Sequence, residues 1–147
     1  LSKDKEIHPL KRKSIKPSSS TVRGMLPGPQ FRALDAAMQS LRSAGLRLDW
    51  NWKSKSVGWV CSGLLDELVV CELRPTEEPL VGVIELPHAM HAKAVAEMGV
   101  SKRFKAVLAS PVEETAKFYV FEIPLEETRF RDLFSELIEE LLPFMTK

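Results

Sequence analysis

Long apolar runs are missing from this chain. Its uncharged apolar stretches last only a handful of residues, far short of the roughly 20 that span a bilayer, so no transmembrane helix is expected. Cysteine is scarce as well. Cys61 and Cys71 are the only two, too few for the disulfide framework of a small secreted scaffold. Both lie in apolar, strand-like stretches, where a thiol behaves as a small buried hydrophobe. A hairpin that set them opposite one another would let them bridge, and the spacing leaves that open. There is no initiating Met and no basic-then-apolar leader, so the expectation is that Leu1 is an internal or processed start in a soluble, cytoplasmic protein. No Gly-rich phosphate loop, nucleophile-elbow serine, cysteine-histidine motif or zinc ribbon occurs, and no cofactor is expected.

Charge is present in both signs but is unevenly placed. Residues 1 to 29 carry seven basic side chains against Asp4 and Glu6, a net of +5, whereas the remaining 14 basic and 18 acidic side chains give −4. This first stretch is rich in Lys, Ser and Pro and lacks hydrophobic periodicity, which predicts a basic flexible arm or linker over 1–29. Residues 30–147 then form one domain, a length that suits a single core.

Within that domain the clearest pattern is Leu46-Arg47-Leu48-Asp49-Trp50-Asn51-Trp52, a strict alternation that places Leu46, Leu48, Trp50 and Trp52 on one face of a strand. Ahead of it, Phe31, Leu34, Met38 and Leu41 recur at helical spacing until Gly45. Behind it, Val57 to Cys61, Leu68 to Leu73 and Leu80 to Leu86 read as strands of an antiparallel meander, with Gly82 leaving space for a neighbour. Pro87 and Gly99 bracket a short helix from His88 to Met98. Phe104, Ala106 and Leu108 alternate as a fifth strand, and Lys117 to Ile123 make the last. Phe130, Leu133, Phe134, Leu137, Ile138 and Leu141 then line one stripe of a final helix that Pro143 ends, with Glu126 and Glu127 at its positive end. The order is α-β-β-β-β-α-β-β-α. It predicts an α+β two-layer sandwich, with three helices against an antiparallel sheet of about six strands.

Four constellations bear on function. All three tryptophans, Trp50, Trp52 and Trp59, fall within ten residues and form either core or a surface for a protein or small ligand; Gly58 beside Trp59 marks a place for close approach. Lys11-Arg12-Lys13 with Lys16 form either a solvated tail or a weak polyanion-contacting patch, one without an aromatic residue of its own to stack on bases. Glu85, His88 and His91 are spaced three apart, which suits metal ligands, although a mononuclear zinc site wants further ligands and supporting partners. Asp49 with Glu72, next to Arg74, suits a metal-dependent nuclease or hydrolase in which arginine stands for the usual lysine. The leading expectation is a non-enzymatic binding module that uses the aromatic sheet region. The alternative is a metal-dependent hydrolase.

The Trp-bearing strand, Gly58-Trp59, Arg74-Pro75, the strand Leu80 to Leu86 and Arg131-Asp132-Leu133 together resemble the YdhG-like group of small bacterial α+β domains of unknown function. The likeness covers about residues 30 to 142; the long terminal helix and the basic arm depart from it. The same element order, with Phe121-Glu122-Ile123-Pro124-Leu125 leading into the last helix, is similar to the secretion-chaperone-like fold. That resemblance implies a homodimer that holds an extended segment of a partner. Neither likeness supplies catalytic residues.

Overall fold

The computed structural model describes residues 8–18, 20–76, 80–97 and 106–145. Two 3-10 turns, Pro9–Lys11 and Val22–Met25, precede helix α1 (Gly28–Ser43). Strands β1 (Arg47–Ser54), β2 (Gly58–Leu65), β3 (Leu68–Arg74) and β4 (Val81–Pro87) follow. Helix α2 (His88–Glu97), the two-residue strand β5 (Glu113–Glu114), strand β6 (Phe118–Pro124) and helix α3 (Thr128–Met145) come after them, with a helical turn at 106 to 108 between α2 and β5. The six strands form one antiparallel sheet in the order β1-β2-β3-β4-β6-β5, so the protein has an α+β fold.

Register decides which residues face the helices. Trp50 pairs with Cys61, Cys61 with Leu73, Leu73 with Gly82, and Gly82 with Ile123, so these five positions share one face. Directly paired residues point the same way, and alternation along each strand extends that face to Leu48, Trp52, Trp59, Ile84, Leu86, Tyr119 and Phe121. Helices α1 and α3 lie on it. A methyl group at Gly82 would sit 2.6 Å from Phe134 of α3, and one at Gly63 would sit 3.5 Å from Leu41 of α1. The space expected at Gly82 is therefore filled by an aromatic ring. The stripe of α3 is buried at Phe134, Leu137, Ile138 and Leu141, with Phe130 and Leu133 half-buried at its margin. Helix α1 ends in a Schellman turn, in which Leu46 N donates to Leu41 O (3.1 Å) and Gly45 N to Arg42 O (3.0 Å). The opposite face of the sheet carries Asp49, Asn51, Lys53, Ser62, Glu72, Arg74, Glu85 and Glu122, as the same register requires.

Three expectations are corrected. Over residues 8–18 and 20–26 the chain is not a wholly solvated arm: Leu10 and Val22 are both 0 % exposed and belong to the core, with Met25 and Leu26 packed against it. Residues 1–7 lie outside the described residues. The strand expected at Phe104, Ala106 and Leu108 is helical over 106 to 108, and Phe104 lies outside the described residues. Successive residues Val107 and Leu108 both pack on the core, which a helical turn permits and a strand, with alternating faces, does not. The fifth strand in chain order is instead Glu113–Glu114, paired with Val120 and Tyr119. Finally, Pro143 does not end α3. The helix continues to Met145, whose burial beside Leu68, Met90 and Phe118 holds the last turn in place.

A candidate anion-binding cleft

The β1–β2 hairpin sets Trp52 opposite Trp59, with ring centroids 5.7 Å apart in an edge-to-face contact. The chain ahead of α1 packs across this pair. His8 Nδ1 accepts from Leu10 N (3.0 Å), which starts the turn Pro9–Lys11 and drives Leu10 into the core. Trp59 Nε1 then donates to Arg12 O at 2.9 Å, tying the segment to β2 across 47 positions of sequence. The approach is close enough that β2 begins with glycine. Gly58 has φ +84°, and a methyl group there would lie 3.0 Å from the carbonyl carbon of Leu10. The close approach expected beside Trp59 is thus made by the chain's own backbone.

This docking converts a tail into a wall. Lys11, Arg12, Lys13, Ser14 and Ile15 on one side, with Trp52 and Lys55 from the hairpin on the other, line an open cleft of about 620 Å³. Four of its seven lining residues are cationic and none is acidic, while half-buried Trp52 supplies an aromatic surface. Such a cleft favours an anion in two ways: the like charges raise the local positive potential, and the apolar wall reduces screening by solvent. Trp50 and Trp59 do not share this role. At 7 % and 8 % exposure they are core residues, Trp50 opposite Cys61 and Trp59 held through its indole N–H. Lys16 is exposed and lies outside the lining.

The remaining candidates do not converge. Glu85 pairs with Val120 on the face away from the helices, whereas His88 and His91 flank Tyr119 on the helix face, each with ring centroids 4.5 Å from it. His91 also has a ring nitrogen 2.8 Å from Leu108 O, and His88 Nε2 lies 3.8 Å from a Glu114 carboxylate oxygen. Asp49 and Glu72 do share a face, but Ser62 of the intervening strand pairs with both. Glu72, 8 % exposed, has one oxygen 2.7 Å from Arg74 Nε and the other 3.4 Å from Lys53 Nζ, so its charge is already neutralised by the chain. Among the described residues no group of three or more His, Cys, Asp or Glu side chains is placed to hold a metal ion. Cys61 and Cys71 are free and buried, and burial pushes both thiols from 9.0 up to about 12. Among the described residues no helix is long and apolar enough to cross a membrane.

Sequence reasoning missed Lys55. It lies in a polar turn like any other, and only the hairpin geometry brings it beside Trp52 and the distant Lys11-Arg12-Lys13 run. Compared with family models, curated proteins and solved structures, the chain matches none.

Proposed function

We propose that this chain is a non-enzymatic binding module that holds an anionic partner in the cleft between residues 11–15 and the Trp52 hairpin. The observation that carries the reading is the docking of the basic segment on that hairpin, which gathers Lys11, Arg12, Lys13 and Lys55 around one aromatic ring with no carboxylate in the lining. An undocked basic run would have to be ordered by its ligand and would lose affinity to that ordering; here the fold has already fixed the segment. The dispersal of Glu85 from His88 and His91, and the neutralised state of Glu72, favour binding over catalysis.

Retention on immobilised heparin across a salt gradient tests the site. The exposed pair Lys13→Glu and Lys55→Glu should elute at clearly lower salt than the parent chain, because fewer counterions are released on binding. The exposed pair Lys93→Glu and Lys117→Glu, outside the cleft lining and with the same change in net charge, should elute close to the parent. Equal shifts for both changes would mean that net charge, not this cleft, sets the affinity.

A further inference from the structure

Resting on the anionic-cleft reading, we infer that the ligand is single-stranded nucleic acid, with phosphates against Lys11, Arg12, Lys13 and Lys55 and a base stacked on Trp52. The basic run by itself lacks an aromatic platform. The fold supplies one from 40 residues further along the chain and leaves it half-buried at the cleft wall. The cations come from two separate elements, the segment of residues 11–15 and the hairpin turn, and line the same cleft as the indole. A sulfated sugar or an anionic lipid surface would satisfy the cations, but to the indole a sugar presents only the C–H face of a puckered ring and a lipid only mobile acyl chains, neither of them a planar π-system. A duplex keeps its bases within its own stack. A single strand presents both chemistries at once, and base stacking on an aromatic ring tolerates any sequence. The volume of about 620 Å³ falls within the few hundred to about 1,000 Å³ common for ligand sites and admits a nucleotide with its phosphates.

The experiment uses the full chain, with fluorescein-labelled oligothymidylate and oligouridylate followed by anisotropy and by tryptophan emission. Heparin, duplex DNA and phosphatidylserine vesicles serve as comparators. Saturable binding of the single strands is expected, with quenched tryptophan emission and a log–log salt slope no steeper than about −3, the limit for four cations at about −0.7 each. Trp52→Leu should weaken binding about ten-fold or more, while Trp52→Phe, which keeps a ring, should retain most of it. Circular dichroism on both variants separates lost stacking from lost fold. If heparin, duplex or vesicles bind as tightly as the single strands and Trp52→Leu changes nothing, the nucleic-acid assignment is overturned while the anion site stands. Should none of these polyanions bind, both readings fall.

Discussion

Gly58→Ala is the sharpest perturbation of the docked segment, because one methyl group acts there on backbone and packing together. At φ +84° an alanine costs about 1–2 kcal/mol from left-handed strain alone. The same methyl group meets the main chain of Leu10, which cannot rotate away like a flexible side chain. The segment must therefore shift outward, exposing Leu10 at a cost of about 1.5–3 kcal/mol. Loss of the bond between Trp59 Nε1 and Arg12 O removes about 0.5–1.5 kcal/mol more. The expected total of roughly 3 to 6.5 kcal/mol lowers the Tm by about 6 to 26 °C at 2–4 °C per kcal/mol for a chain of this size. Gly24→Ala is the control, since its methyl group meets nothing within 4 Å and should change stability by no more than about 0.5 kcal/mol. Thermal melts give the magnitude, and limited trypsin digestion reports the mechanism, because the bonds after Lys11, Arg12 and Lys13 become more readily cleavable once the segment lifts. A Gly58→Ala chain that melts with the parent and resists trypsin equally would refute the docking and, with it, the cleft.

Two further outcomes bear on the core. Leu137→Ala, at a position 0 % exposed in the α3 stripe, should cost roughly 2 to 5 kcal/mol in urea unfolding, whereas Glu139→Ala, exposed on the same helix, should cost under about 0.5 kcal/mol; equal small losses would show that α3 is not packed on the sheet. Cys61 and Cys71 should resist iodoacetamide in the folded protein and react readily in urea. Since folding raises both thiol pKa values from 9.0 to about 12, the stabilisation they provide is complete below pH 9 and is lost as pH rises from 9 towards 12, where the unfolded chain releases protons that the folded one keeps. Stability that holds constant across that window would contradict the burial.

By itself the sequence determined the elements whose burial repeats with a local period. The alternation of Leu46 to Trp52 specified β1 and its inward face, and the stripe from Phe130 to Leu141 specified α3, because each pattern requires one face to leave water. The glycines at 58 and 82 were legible as places of close approach; what approached them was not, since Leu10 and Phe134 lie roughly 50 residues away in the chain. Short segments misled for a related reason. Three alternating residues near Leu108 fit a strand or a turn equally well, and the pull of Met145 into the core outweighed the helix-breaking tendency of Pro143. Composition made residues 1–29 look unable to bury enough to become ordered. For residues 8–18 and 20–29 only the tertiary structure decided otherwise, because Leu10 and Val22 join a core built mostly by elements later in the chain, with Met25 and Leu26 packed against it. The candidate cleft exists for the same reason: its cations and its tryptophan are unremarkable apart, and contact across some 40 residues of chain is what makes them one surface.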